Sequence, residues 1–82
     1  MGTAREDDDV EAAVLREVLF LHPVQVTVEE LVLDLADPAD FGARDAIERA
    51  VRDLARAGLL HRHGEFTLPT RAAVRFEELI GR

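Results

Sequence analysis

Leu54-Ala55-Arg56-Ala57-Gly58-Leu59-Leu60-His61-Arg62-His63-Gly64-Glu65-Phe66-Thr67-Leu68-Pro69-Thr70 is the stretch that decides the fold. Its left end closes a helix. Gly58 follows the last apolar repeat, where a left-handed C-terminal cap is expected. Leu59 and Leu60 bring the chain back to the core. Gly64 marks a tight turn between two short apolar-alternating runs. An Arg62-His63-Gly64 turn would pair His61 with Glu65 and Leu60 with Phe66. That register predicts Leu60, Phe66 and Leu68 on the buried face, with His61, Glu65 and Thr67 outside. Pro69 ends the second strand. Thr70 caps a last helix, Arg71 to about Ile80, with an expected inner face of Ala72, Ala73, Phe76, Leu79 and Ile80 and with Val74 outward.

Upstream of this stretch, a helix is expected from about Ala43 to Ala57. Ala43, Ile47, Ala50, Val51 and Leu54 share its inner side, and Asp45, Arg49, Arg52 and Arg56 the outer. Thr27-Val28-Glu29-Glu30 is a capping box. It opens a helix to about Ala36 that buries Val28, Leu31, Val32 and Leu35. Asp37 to Gly42 is a turn, with Phe41 expected to tuck inward. Val24-Gln25-Val26 reads as a short strand. The first helix is expected from Val10 to about Leu21, capped by Asp8 or Asp9 and stopped by His22-Pro23. Val10, Val14, Leu15, Val18, Leu19 and Leu21 form its core arc. Residues 1–9 read as a flexible acidic tail, leaving 10–82 as the one domain.

The order helix, strand, helix, helix, strand, strand, helix resembles the winged helix-turn-helix family over roughly residues 10–80. The resemblance implies an α+β fold of three or four helices with a small antiparallel β-wing. It also implies that the third helix enters the major groove and that the wing touches the backbone or minor groove. Carried onto this chain, Arg44, Arg49, Arg52, Arg56, Arg62 and His63 become the DNA-binding residues. The function implied is that of a small transcriptional regulator reading duplex DNA. The alternative is a winged-helix module that binds another protein and no DNA.

Charge bears on both readings. The chain of 82 residues carries a net −7, which opposes nucleic acid. The charge is uneven: residues 1–43 hold eleven acids and two Arg, whereas 44–82 hold six acids and eight Arg. The half with the expected reading helix and wing is the less acidic. The Arg stripe is also what a solvated helix carries, since Asp45–Arg49, Glu48–Arg52 and Arg49–Asp53 are i,i+4 pairs.

Other chemistry is thinly represented. There is no Cys, which removes disulfides and thiolate metal sites. No phosphate loop or nucleophile elbow is present, and Ser is absent, so no enzyme is expected. Glu29-Glu30 and Glu77-Glu78 are adjacent, and so diverge on a helix. His22, His61 and His63 do not make the three or four converging ligands of a zinc site, so neither metal nor cofactor is expected. No small-molecule ligand is inferred. No apolar run approaches a membrane span and the start is no signal peptide, so a cytoplasmic protein is expected. Ala13, Phe20 and Val74 fall outside the expected core arcs, which predicts a homodimer through the first and last helices.

Overall fold

A computed structural model describes residues 4–81. It is α+β, with four helices and a three-stranded antiparallel sheet. The elements are α1 (Ala4–Leu21), β1 (Val26–Thr27), α2 (Val28–Leu35), α3 (Ala43–Arg56), β2 (Leu60–His63), β3 (Phe66–Pro69) and α4 (Arg71–Ile80). The sheet order is β1-β3-β2. No helix among the described residues is long and apolar enough to cross a membrane.

Local chemistry sets most boundaries. The Thr27 hydroxyl accepts from the Glu30 N–H at 3.2 Å, and the Glu30 carboxylate accepts from the Thr27 N–H, so both arms of the capping box form. Each satisfies a donor that the start of a helix leaves without an internal partner. At the end of α3, Gly58 takes φ +83. The Leu59 N–H then donates to the Leu54 carbonyl and the Gly58 N–H to the Ala55 carbonyl, the paired bonds of a Schellman ending.

Three surfaces meet in the core. Val14 and Val18 of α1, Leu31 of α2, and Ile47, Ala50, Val51 and Leu54 of α3 are buried with Val26 and Leu60. Val10, Leu15, Leu21, Val28, Val32 and Leu35 pack around them. Apart from Leu19 and Ala43, which are half-buried outside this cluster, these are the expected faces of the first three helices.

Five expectations need correction. First, α1 begins at Ala4, so Asp8 and Asp9 lie inside a helix and not in a tail. Glu6 and Asp7 sit in its first turn, where carboxylates favour the helix dipole. Asp7 also reaches Arg49 of α3 at 3.5 Å, which anchors that turn. Second, the first strand is Val26–Thr27, and Val24 is exposed.

Third, the hairpin turns through two residues, Gly64 and Glu65, with His63 opposite Phe66 and Arg62 opposite Thr67. Gly64 holds φ +62 at the first turn position, as the tight turns that suit strand twist require. β1 decides the facing, because Val26 pairs with Thr67 and both are buried. Phe66 and Leu68 therefore go to the opposite, half-covered side. The Thr67 hydroxyl is left buried with no hydrogen-bond partner among the described residues. Such an orphan is destabilising, and Val fits a strand better. Thr67→Val is expected to raise stability by about 1 kcal/mol in a urea melt. A loss of stability would show that the hydroxyl is in fact satisfied.

Fourth, α4 is rotated relative to its expected facing. Thr70 donates to the Gly58 carbonyl at 2.7 Å and accepts from the Ala73 N–H, while its own N–H binds the Leu59 carbonyl. These bonds tie the helix to the end of α3 with Ala73 buried and Val74 half-buried. Ala72, Phe76, Leu79 and Ile80 are exposed, so Phe76 does not join Leu54 and Phe66 in one core. The apolar arc of α4 runs through Ala72, Ala73, Phe76, Leu79 and Ile80, and only its Ala73 edge, with Val74 beyond it, turns inward. Fifth, Phe41 points away from the protein at 97% exposure.

α1 and α2 also bring two acids together. A hydrogen bond to the Asp34 carboxylate, then burial and the Asp34 charge, raise the Glu17 pKa above its ordinary value. Folding thus favours the protonated group. That contribution is present below the unfolded pKa and is lost as pH rises through the folded one. Glu17→Gln should therefore stabilise the protein at neutral pH, with the advantage shrinking as the buffer is acidified. Urea midpoints measured across that range check this, and a pH-independent difference would contradict it.

Candidate nucleic-acid interface

The outer edge of α3 does not present one basic stripe. Arg52 and Arg49 are three residues apart, about 60° around the helix. That angle sends them to different flanks. Arg49 leans towards α1, where it pairs with Asp7 at 3.5 Å beside Val10 and Glu11. Arg52 leans towards α2 and the β2–β3 hairpin. Arg56 lies a turn further on, 3.9 Å from Asp53. None of the three i,i+4 pairs expected along α3 forms among the described residues. Glu48 instead faces Arg44 at 3.7 Å.

Arg44, Arg52 and Arg62 line one concavity of about 280 Å³ together with Val28, Glu29 and Glu48. Each comes from a different local cause. Arg44 is in the first turn of α3, two turns before Arg52. Arg62 is opposite Thr67, on the side of the sheet that carries Leu60. Val28 and Glu29 belong to the first turn of α2, the positive end of that helix dipole. The helix start, the α3 flank and the hairpin thus meet at a basic hollow.

Two carboxylates temper it. The Arg44 guanidinium grips Glu29 with both nitrogens, one of them at 2.6 Å from Oε1. The hydrogen bond and charge of Arg44 hold the Glu29 pKa below its ordinary value, and Glu29 in turn raises that of Arg44. Arg44 is therefore largely neutralised. Arg52 and Arg62 make no ion pair among the described residues. They are the uncommitted cations of the hollow.

His63 does not join them. Strand alternation places Arg62 and His63 on opposite sheet faces. His63 shares its side with His61, Phe66 and Leu68. The hairpin tip is Gly64–Glu65, so an acid stands where a basic contact was expected. Among the described residues, no three His, Asp or Glu side chains are placed to hold a metal ion. The expected set of Arg44, Arg49, Arg52, Arg56, Arg62 and His63 thus divides. The structure brings Arg44, Arg52 and Arg62 together, and it separates Arg49, Arg56 and His63 from them.

Glu29 and Val28 were not legible as site residues. Glu29 reads as part of the capping box, and its partner Arg44 is fifteen residues away with no periodic link. Set against known proteins, the chain matches no family model, no curated protein and no solved structure.

Proposed function

We propose that this protein is a winged-helix module that binds duplex DNA and acts in transcriptional regulation. In this reading α2 and α3 are the helix-turn-helix, α3 enters the major groove, and the β2–β3 hairpin is the wing. The observation that carries it is the convergence of Arg52 and Arg62, both uncommitted, with Arg44 at one hollow. A phosphate has the charge to bridge such a cluster, and Arg presents the planar donors that suit it. Arg52 is also on the exposed edge of α3, within the region that would face base edges.

The net charge of −7 limits what such a site does. Nonspecific attraction is weak, so binding is salt-sensitive and selective for sequence. A gel shift at about 50 mM salt against random and genomic duplex pools tests this. A retarded complex in the genomic pool supports the proposal, and its complete absence abandons it.

A second reading has its own support. Leu33 and Phe41 are both exposed and flank a groove of about 200 Å³ with Pro38 and Val32. Exposed apolar side chains beside an acidic half suit a protein partner. In that case no DNA complex forms even at low salt. Charge reversal at Glu29, Glu30 or Asp34 then breaks a protein complex.

A further inference from the structure

A cavity of about 370 Å³ opens where α1, the end of α2 and the start of α3 meet. Its apolar walls come from Val10, Leu35 and Ile47, side chains that also belong to or pack on the core. The space exists because the residues between them are small. Ala13 on α1, Ala36 after α2, and Ala43 and Ala46 on α3 all line it. Of the residues expected at a subunit interface, Ala13 thus faces this cavity instead, Val74 is on the inward side of α4, and Phe20 is exposed at the end of α1.

Charge selects the occupant. Asp9, Asp37 and Asp40 stand among the apolar walls, and no Arg or His lines the cavity. Asp37 and Asp40 are set by the turn itself. Each Oδ1 accepts a backbone N–H two residues on, from Ala39 at 2.9 Å and from Gly42 at 3.0 Å. None of the three carboxylates makes an ion pair among the described residues. Arg44 and Arg49 of α3 are paired elsewhere, with Glu29 and Asp7.

We infer that this cavity binds a small organic cation, a primary ammonium group on an apolar body. Its volume is within the range of small-molecule sites, which begins at about 300 Å³. The apolar walls favour the body through burial. The three carboxylates favour a positive charge and repel an anion. They are exposed, so the ammonium keeps part of its hydration and its attraction is screened by salt. Bound there, the ligand bridges α1, the Asp37–Gly42 turn and α3, and it stabilises the fold by occupancy. On α3, Ala43, Ala46 and Ile47 lie roughly 145° around the helix from Arg44, Glu48 and Arg52. The cavity is therefore separate from the basic hollow. The inference does not rest on DNA binding, and it is tested without DNA.

The chain has no Trp and no Tyr, so the indole of tryptamine reports its own binding by fluorescence anisotropy. Titrated with the full chain at neutral pH and low salt, tryptamine should bind about 10-fold more tightly than tryptophol, its neutral hydroxyl counterpart. Indole-3-acetate should bind more weakly than either. The preference for the ammonium should shrink as salt is added. Asp9→Asn, Asp37→Asn and Asp40→Asn combined keep the oxygen acceptors of the turn, and should bring tryptamine down to the affinity of tryptophol. Asp45→Asn, Glu65→Gln and Glu77→Gln combined remove as much charge away from the cavity, and should leave the preference in place. Ala46→Leu fills the cavity and should weaken all binding, with circular dichroism checking its fold; if it does not fold, the three-Asn variant decides. No anisotropy change with tryptamine at high micromolar chain overturns the inference. So does equal binding of indole-3-acetate, a preference lost equally in the two triple variants, or a folded Ala46→Leu chain that binds like wild type.

Discussion

Leu31→Ala is expected to cost about 2–5 kcal/mol, through lost transfer energy and the cavity left behind. Leu31 is completely buried, the largest of the fully buried side chains. It is the only fully buried residue that α2 contributes. Domains of this kind are stable by only about 5–15 kcal/mol, and small ones lie towards the low end. The substitution thus removes a large share of the total. The urea midpoint should fall by about 2 M or more, taking a slope of about 1 kcal/mol/M for a small protein. Phe76→Ala supplies the contrast. Its ring is exposed, so at a concentration where the chain is monomeric the midpoint should barely move. If Leu31→Ala melts with wild type, or Phe76→Ala loses as much as it, the division between core and surface described above is wrong.

That contrast also shows where sequence patterning stops. Leu31 and Phe76 were both expected inside, and only Leu31 is. α2 gathers Val28, Leu31, Val32 and Leu35 on one side and leaves Leu33 alone among Glu29, Glu30 and Asp34, so its rotation is fixed by the pattern. α4 also has one apolar arc, through Ala72, Ala73, Phe76, Leu79 and Ile80, yet only its Ala73 edge is turned inward. Its facing is set by Thr70, through bonds to Gly58 and Leu59 that periodicity cannot register. The hairpin behaves in the same way. Gly64 announced the turn and its positive φ. The face shown by Thr67 depends on Val26, forty-one residues earlier. A shift of one residue exchanges the faces of a strand, and the two-residue turn leaves Arg62 and His63 as strand neighbours on opposite faces. Caps and helix ends, which depend on neighbours in the chain, were legible at Thr27, Gly58 and Thr70. The partition of the arginines was not, because it depends on Asp7 and Glu29, side chains supplied by other helices.

The same partition ranks the arginines by their effect on DNA. Arg52→Ala should weaken specific binding by about 1–3 kcal/mol if the side chain reads a base edge. If it touches only phosphate, the loss should be smaller and uniform across sequences, and the slope of log affinity against log salt should shrink by about one. Arg62→Ala should behave as a phosphate contact, since the wing is expected on the backbone. Arg49→Ala should change little, because its charge is spent on Asp7 away from the hollow. Arg44 differs again. Its guanidinium is held by Glu29, so Arg44→Ala alone should have a modest effect. Glu29→Gln should instead strengthen DNA binding, by removing a carboxylate from the hollow and releasing Arg44. Fluorescence anisotropy on a selected duplex at several salt concentrations measures all five variants. A gain of affinity for Glu29→Gln together with a loss for Arg52→Ala is the signature of this site. Losses confined to Arg49→Ala would move the interface to the α1 flank of α3 and refute the geometry argued for it.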